Sequence, residues 1–363
     1  MTEPLGRGPG AARGHRRRWP AEWEEHQATW LAWPHNPETW PGRLTAVEAA
    51  FAAMVEALAP RETVCIAVDG DPMQERARRR LEERGIDPDR GVRFVDIPTD
   101  DAWIRDSGPV FVADGDETAL LDFRFDSWGG KYPPWERDDA VPRGVAAHLG
   151  LRRIEVLAVL EAGSIDGDGR GAVLTTETCL LHPNRGAGRT REELEALLAE
   201  TLGARHVLWL GGGIAGDDTD GHVDNVARFV APGAVVAAVE NDPGDPNHAP
   251  LRDNLERLRA MRDADGKPLD VVPLPMPPSL TADGQRLPAS YANFYLANGV
   301  ALVPVFAAPQ DERALAVLRE CLPDREIVPI PSADLVVGLG AVHCLTQQQP
   351  RLRGACKEAD SQS

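Results

Sequence analysis

Three consecutive segments, NVARFVAPGAVVAAVE (225–240), PLRDNLERLRAMRDA (250–264) and LDVVPLPM (269–276), decide the fold. The first predicts a hairpin of two strands, because two apolar, β-branched runs flank a turn. The second has the apolar spacing of an amphipathic helix, and the third is a short apolar run typical of a buried strand. Together they predict one ββαβ unit.

The same unit recurs along the chain. Further hairpins are predicted at PVFVADGDETALLDFRF (109–125), AGSIDGDGRGAVLTTETCLLHP (162–183) and NFYLANGVALVPVF (293–306), and the last turns on Asn298-Gly299. A helix and a single strand follow each hairpin, and the helix after the second hairpin opens with a predicted capping box from Thr190 to Glu193. The turn centres recur about every 55–65 residues, which is typical of repeated supersecondary units.

The N-terminal third predicts two helices, 45–59 and 71–85, around the strand 62–70. It supplies a fifth unit if the two chain ends complete its hairpin. Five ββαβ units in a ring make a five-bladed α/β propeller with a pseudo-fivefold axis. An ordinary doubly wound sheet is disfavoured, because such sheets alternate single strands with helices. We therefore predict a single catalytic domain over 19–352, with a disordered basic tail over 1–18 and a polar tail over 353–363.

Composition narrows the classes of partner. The 363 residues carry a net charge of −18, which disfavours nucleic acid and anionic membranes and weakly favours a cationic substrate. Five scattered cysteines indicate a reducing compartment, so we expect a cytoplasmic protein. The chain has no apolar run of the ~18–20 residues that would span a bilayer. An acidic segment rather than an apolar one follows the basic start, so the start does not predict a signal peptide.

The most reactive side chains follow the single strand of each predicted unit. Since equivalent strand ends lie at equivalent places in a repeated fold, we expect five segments to converge: TDDAWIRDSGP (99–109), EAGSIDGDG (161–169), GGGIAGDDTDGHVDN (211–225), PASYANFY (288–295) and SADLVVGLGAVHC (332–344). They would bring together a thiol, an imidazole and four carboxylates: Cys344, His222, Asp106, Glu161, Asp218 and Asp224. A Cys–His pair is the arrangement of a nucleophile and its base, and fixed carboxylates suit a planar guanidinium.

The expected chemistry is therefore attack of Cys344 on a guanidinium carbon. His343 is nearer in sequence, but neighbouring residues of a strand point to opposite faces. We therefore assign the base to His222 and predict a packing role for His343. Trp103 and Trp128 are candidates for stacking on the cation.

Other interpretations of the same residues are weaker. GGGIAG (211–216) resembles a dinucleotide loop, but aspartates rather than a helix follow it. DGDGRGAVLTTE (166–177) imitates a calcium loop without flanking helices. DDTDGHVD (217–224) could hold divalent metals, as in a metal-dependent amidinohydrolase, although it supplies a single histidine. A structural thiol at Cys344, in a catalytically idle protein, is the remaining alternative.

Seven motifs carry a family resemblance: PAEWEEHQATWLAWPHN (20–36), DAWIRDSGP (101–109), DSWGGKYPPWERDD (126–139), TTETCLLHPNR (175–185), GDDTDGHVDN (216–225), SYANFYLANG (290–299) and HCLTQQQP (343–350). In this order, from about Trp19 to Pro350, they resemble the agmatine deiminases of the Porphyromonas-type peptidylarginine deiminase family. That family is similar to the penteins, guanidine-modifying fivefold propellers. The resemblance implies hydrolysis of agmatine, a small cationic guanidine, to N-carbamoylputrescine and ammonia, with no metal or organic cofactor. It leaves open whether the protein forms a homo-oligomer.

By the same resemblance, Cys344 is the expected nucleophile and His222 the general acid and base. Asp106 and Asp224 would bind the guanidinium and Asp218 would line the substrate channel, while Trp103, Trp128 and Glu161 are further candidates for substrate binding.

The chain departs from the family pattern at four positions: Leu339 and Ala341 before His343-Cys344, Ala162 after Glu161, and Asp126. These departures leave a second guanidine, such as a modified arginine or a secondary-metabolite guanidine, as the alternative substrate.

Overall fold

A computed structural model describes residues 17–185 and 188–351, together with the backbone of residues 3–4. Within these ranges the strands are β1 Glu3–Pro4, β2 Arg17–Arg18, β3 His26–Ala32, β4 Thr63–Val68, β5 Val92–Asp96, β6 Val110–Asp114, β7 Glu117–Arg124, β8 Arg152–Val159, β9 Ile165–Gly167, β10 Ala172–Thr176, β11 His206–Leu210, β12 Ala227–Ala231, β13 Ala234–Val239, β14 Asp270–Pro275, β15 Thr281–Ala282, β16 Gln285–Arg286, β17 Tyr295–Ala297, β18 Val300–Val305, β19 Glu326–Pro331 and β20 Gln347–Pro350. The helices are α1 Leu44–Leu58, α2 Gly70–Glu83, α3 Ile104–Ser107, α4 Ser127–Gly130, α5 Glu136–Asp139, α6 Val141–Leu149, α7 Glu177–Leu180, α8 Arg191–Leu202, α9 His248–Ala260 and α10 Asp311–Cys321.

Four sheets contain the predicted ββαβ unit. In each of them an antiparallel hairpin is followed by a helix and by a strand that pairs in parallel with the second hairpin strand: β6–β7–α6–β8, β9–β10–α8–β11, β12–β13–α9–β14 and β17–β18–α10–β19. The hairpin at 225–240 joins β12 to β13, and Val235 is opposite Val271 of β14. The predicted α/β class and these four units are confirmed.

The two ends of the described chain complete a fifth sheet, as the sequence predicts. Its strand order is β20–β3–β4–β5, with β20 antiparallel to β3 and Gln347 opposite Trp30. This sheet differs from the other four, because two helices, α1 and α2, connect its three parallel strands. The extra βα step explains why the N-terminal third matches the repeat less well.

The predicted tails fall mostly outside the described residues. Of the basic tail over 1–18, Glu3–Pro4 forms β1 beside β8 and Arg17–Arg18 forms β2 beside β6. The polar tail over 353–363 lies outside the described residues. None of the helices in the described ranges combines the length and the hydrophobicity that a membrane-spanning segment needs.

Local sequence accounts for the helices that cover the sheets. The predicted capping box of α8 is present: the Thr190 hydroxyl accepts from the Glu193 N–H at 3.3 Å, and the Glu193 carboxylate accepts from the Thr190 N–H at 2.9 Å. Leu194, Leu198 and Leu202, four residues apart, are buried on one face of the helix against its sheet. Capping thus fixes where α8 begins, and the apolar face fixes how it packs.

A buried arginine joins the closing strand to the segment that follows β5. Arg105 donates to the side-chain oxygens of Gln347 at 2.7 Å and Gln348 at 2.6 Å, and lies 3.3 Å from a carboxylate oxygen of Glu22. Its backbone N–H also donates to the carbonyl of Cys344 at 3.2 Å. Arg105 therefore sets the position of the Cys344 segment relative to α3.

Replacing Arg105 by Met should lower the free energy of unfolding by about 3–5 kcal/mol, because it leaves the Glu22 carboxylate and two amide oxygens buried with fewer donors. Urea unfolding followed by circular dichroism measures the change. The control is Arg43→Met, since the Arg43–Asp334 ion pair is exposed and should cost no more than about 1 kcal/mol. Equal losses in the two variants would contradict a structural role for Arg105.

Candidate active site

The five strand ends carry short turns that meet, as the sequence predicts. Helix α3 follows β5, a 3₁₀ turn at Ala162–Ser164 follows β8, and a second one at Val223–Asn225 follows the loop after β11. Asn293 lies after β14, and the segment with Cys344 lies after β19. Hydrogen bonds and contacts between these segments form one buried centre.

Gly163 lies at the middle of this centre. A β-carbon on this glycine would lie 2.7 Å from both Asp106 Oδ1 and His222 Nδ1, and 3.1 Å from Asp224 Oδ2. These three polar atoms thus surround the space where a side chain would be. Gly163 also donates its N–H to Asp106 Oδ1 at 3.1 Å. The absence of a side chain is what lets two carboxylates and an imidazole approach one another.

Asp106 is buried without a hydrogen bond from a cationic side chain. Its partners are the Trp128 indole N–H at 3.0 Å and the Gly163 N–H. Burial raises the pKa of Asp106 to about 6; the charges of Asp224 and Glu161 act in the same direction, whereas His222 and Trp128 oppose it. Asp106 also lines a cavity, so its negative charge faces the place where a ligand can enter.

His222 is fully buried between two carboxylates. Its Nδ1 lies 3.7 Å from Asp106 Oδ1 and its Nε2 lies 3.9 Å from Glu161 Oε2. Burial opposes the charged imidazolium, but Asp106, with help from Cys179 and Glu161, raises the pKa of His222 well above its ordinary value. The protonated imidazole is therefore the favoured form in the free protein, ready to donate a proton.

Cys344 lies at the bottom of the cavity, next to Asp224 and Asn293. Its thiol is 3.6 Å from Asp224 Oδ2, and its sulfur accepts from the Asn293 side-chain N–H at 3.1 Å. Burial, together with the charges of Asp224 and Asp106, raises the pKa of this thiol well above its ordinary value. The free protein therefore holds a neutral thiol. A positively charged ligand between the carboxylates would offset their negative charges and so lower the pKa of the thiol.

His343 is not a simple packing residue. The expectation rested on strand alternation, but residues 342–345 form turns. Its Nδ1 lies 2.8 Å from Asp224 Oδ2 and its Nε2 lies 2.8 Å from Glu22 Oε2. His343 therefore bridges the two carboxylates and holds Asp224 in place.

The cavity above Cys344 has a volume of about 590 Å³. Trp103, Trp128 and Asp218 line its wall together with Asp106 and Cys344. The Tyr132 hydroxyl donates to Asp218 Oδ2 at 2.5 Å. The structure thus brings five of the eight candidate residues to one cavity.

Glu161, His222 and Asp224 lie behind that wall rather than on it. Glu161 is fully buried, and its Oε1 accepts from Arg185 Nε at 2.7 Å. Burial opposes ionisation of Glu161, but His222 and Arg185 lower its pKa below the ordinary value. Its position favours an action through His222 over direct binding of substrate.

Arg185 is the most important residue of the site that the sequence analysis did not predict. Its guanidinium also pairs with Asp220 at 2.6 Å and donates to the Thr219 carbonyl at 2.8 Å. It thereby ties Glu161 to the loop that precedes His222. Glu22 and Asn293 were not predicted either. All three residues lie inside the motifs that carry the family resemblance, but only contacts with residues far away in the sequence reveal their roles.

The aspartates of residues 217–224 do not form a common metal site. Asp217 accepts from Thr219, Asp218 from Tyr132, and Asp220 from Arg185 and Lys131, while Asp224 lies against His343. Their carboxylates therefore face different partners. This geometry disfavours the binuclear metal alternative.

The four departures from the family pattern are accommodated differently. Asp126 accepts from the Gly129 N–H at 2.8 Å, and Ala162 is buried in an apolar cluster. Ala341 is buried as well. Leu339 has φ +71°, in the left-handed region that favours glycine, and it lines the cavity. Of the four, only Leu339 changes the wall that a ligand meets.

The chain is similar to known proteins over nearly its whole length. Residues 18–350 match the model of the family described as Porphyromonas-type peptidyl-arginine deiminase. The chain is 39% identical to an agmatine deiminase of Ectopseudomonas mendocina and 40% identical to one of Stutzerimonas stutzeri; the first alignment covers 93% of this chain and 96% of the relative, the second 91% and 95%. The solved structure of an agmatine deiminase of Enterococcus faecalis superposes with a TM-score of 0.87 at 33% identity, covering 92% of this chain and 96% of that one.

The raised pKa of Cys344 predicts slow alkylation by iodoacetamide at neutral pH, with a rate that still rises above pH 9, because the thiolate is the reactive form. Mass spectrometry of the Cys344 peptide over a pH series measures the rate. Asp224→Asn should accelerate the reaction at pH 8, since it removes one of the charges that disfavour the thiolate. A rate that levels off below pH 8 in the wild-type protein would contradict the assigned environment of Cys344.

Proposed function

Because the chain belongs to the Porphyromonas-type peptidyl-arginine deiminase family, we propose that it hydrolyses agmatine to N-carbamoylputrescine and ammonia. The main support is a buried thiol, Cys344, beside two carboxylates, Asp106 and Asp224, neither of which forms an ion pair with an arginine or lysine in the described part of the chain. Two other buried acids near the site do have such a partner: Glu161 pairs with Arg185, and Asp166 with Arg228. Asp106 is hydrogen-bonded by neutral donors, and Asp224 Oδ1 has no hydrogen-bond partner in the described part of the chain.

A guanidinium supplies the missing positive charge. It is planar and its N–H groups match carboxylates at two edges, so Asp106 and Asp224 would hold it above Cys344. Trp103 and Trp128 on the cavity wall offer aromatic faces to the cation. Asp218, on the same wall, is available to the amino group at the other end of agmatine.

Substrate binding would also activate the nucleophile. Since the charges of Asp224 and Asp106 help to keep Cys344 protonated, a bound cation favours loss of the thiol proton, which leaves to solvent because His222 already carries a proton. The sulfur then forms a bond to the guanidinium carbon. The bond from that carbon to one terminal nitrogen breaks, and His222 passes a proton to the departing nitrogen, so that ammonia leaves and an amidino-cysteine remains.

Water completes the reaction. A water oxygen forms a bond to the same carbon, and the carbon–sulfur bond breaks. One water proton returns to Cys344 and the other passes to His222, which leaves the ureido product. Glu161, fixed by Arg185, would keep the imidazole oriented through both proton transfers.

Leu339 favours a second candidate, a deiminase of the same mechanism for another guanidine. Its side chain occupies the cavity wall at a position where the backbone itself favours glycine. This side chain alters the shape that a substrate tail meets, whereas the residues around the guanidinium stay in place. The chemistry is therefore common to both candidates, and only the tail differs.

We also infer that the five sheets surround a pseudo-fivefold axis as a propeller. The repetition of the unit and the meeting of five strand ends support this arrangement. A cytoplasmic location remains a prediction, and the family resemblance leaves the formation of a homo-oligomer open.

The deciding test measures ammonia release from a panel of guanidines that includes agmatine, arginine and methylated arginines. We expect agmatine to have the highest kcat/KM, and Cys344→Ala to lower its turnover by several orders of magnitude with an unchanged circular dichroism spectrum. Turnover of another guanidine alone would favour the second candidate. Wild-type activity in Cys344→Ala would contradict the mechanism.

Gly163→Ala should lower kcat/KM by at least about 100-fold, because the added methyl group displaces Asp106, His222 or Asp224. The neighbouring substitution Ala162→Gly is the matched control and should retain most of the activity, since Ala162 packs away from these groups in an apolar cluster. Kinetics with agmatine, after thermal unfolding has confirmed folded variants, make the comparison. Similar kinetics in the two variants would remove Gly163 from the centre of the site.

A further inference from the structure

The side of His222 away from Asp106 carries a second cluster of reactive groups. A ring nitrogen of His222, a carboxylate oxygen of Glu161 and Sγ of Cys179 all lie within 4.8 Å of one another, and their residues are fully buried. Within the described residues, neither Nε2 of His222 nor Oε2 of Glu161 has a hydrogen-bond partner. We propose that these three side chains bind Zn²⁺, and that the bound ion stops catalysis by holding the imidazole of His222.

The two unpartnered atoms are the reason to look for a ligand. Burying a polar atom without a partner costs roughly 1–3 kcal/mol. His222 Nε2 and Glu161 Oε2 face each other at 3.9 Å, which is too far for a hydrogen bond between them. A small cation between these atoms and the sulfur of Cys179 would satisfy all three groups at once.

The donor set selects the class of cation. One sulfur, one nitrogen and one carboxylate oxygen suit Zn²⁺, whereas Mg²⁺ and Ca²⁺ prefer several oxygens. Zinc–ligand bonds of about 2.0–2.3 Å place neighbouring tetrahedral ligand atoms roughly 3.3–3.8 Å apart. The Nε2–Oε2 separation of 3.9 Å is close to this range, and the separations within the cluster do not exceed 4.8 Å, so the side chains must move together by up to about 1 Å to bind the ion. Binding converts the Cys179 thiol to a thiolate and displaces the proton on Nε2 of the His222 imidazolium, and both protons are released to solvent.

Arg185 is a positive charge beside the proposed site and would repel a bound cation unless other groups neutralised it. Its guanidinium lies 2.7 Å from Oε1 of Glu161, the oxygen turned away from His222, and it pairs with Asp220 as well. These two carboxylates already balance the guanidinium. The Oε2 oxygen is thereby left available to the cation.

The geometry also fixes the kind of inhibition. Nδ1 of His222 faces Asp106 and the guanidinium site, whereas Nε2 faces the proposed zinc site. An ion on Nε2 therefore leaves the substrate-binding carboxylates free. Zinc should lower kcat without raising KM, and the inhibition should develop slowly, because local opening is needed to reach buried ligands.

Cobalt absorption tests the site without any enzymatic activity. Co²⁺ replaces Zn²⁺ in such sites, and a cobalt–thiolate bond gives a charge-transfer band in the near ultraviolet. We expect this band in Cys344→Ala, which lacks the cavity thiol, and its loss when Cys179→Ser is added. Adding Cys321→Ser instead is the matched control and should leave the band in place, because Cys321 lies on α10 in another sheet unit. A band that is absent from Cys344→Ala, or that survives Cys179→Ser, would overturn the proposal.

Zinc inhibition of the full chain tests the functional part, which rests on the proposed agmatine hydrolysis. The ratio of kcat with and without Zn²⁺ is measured for each variant separately, and Cys179→Ser should weaken the inhibition by at least about tenfold. Inhibition that raises KM, or that is unchanged in Cys179→Ser, would place the ion at Cys344 and contradict the proposal. A chain without agmatine turnover leaves the cobalt experiment intact, so the two proposals fail separately.

Discussion

The burial of negative charge around the single imidazole of His222 is the constraint on which the site depends. Asp106, Glu161 and Asp224 are all nine-tenths buried or more, and each would be strongly disfavoured as an isolated ion. The protein resolves the problem in two ways. Glu161 is paired with Arg185 and Asp224 lies against His343, whereas Asp106 on the cavity wall accepts only from neutral donors and is available to a cationic ligand.

This division explains the protonation states of the free protein. Without a ligand, the shared negative charge keeps a proton on His222 and another on the Cys344 thiol. A guanidinium between Asp106 and Asp224 neutralises that charge. In the proposed mechanism, recognition of the substrate and activation of Cys344 are therefore one electrostatic event, which limits thiolate formation to the occupied site.

The closure of the chain on itself supports the same arrangement. Strand β20 pairs with β3. Arg105 connects β20 to α3, and Glu22 lies against both Arg105 and Arg228. Cys344 lies just before β20, so its position depends on this closure. The position of Cys344, the proposed nucleophile, is thus set by contacts between strands from the two ends of the described chain.

The amino-acid sequence by itself determined the α/β class, the repeated ββαβ unit, the capping box of α8 and the set of reactive residues at the strand ends. These features follow from local patterns, such as apolar periodicity and turn chemistry, which act over a few residues. Only the tertiary structure decided that Glu161 lies behind His222, that His343 bridges Glu22 and Asp224, and that Arg185 holds the loop before His222. Those placements arise from contacts between segments tens to hundreds of residues apart, where charge pairing and burial, not local conformation, select the partner.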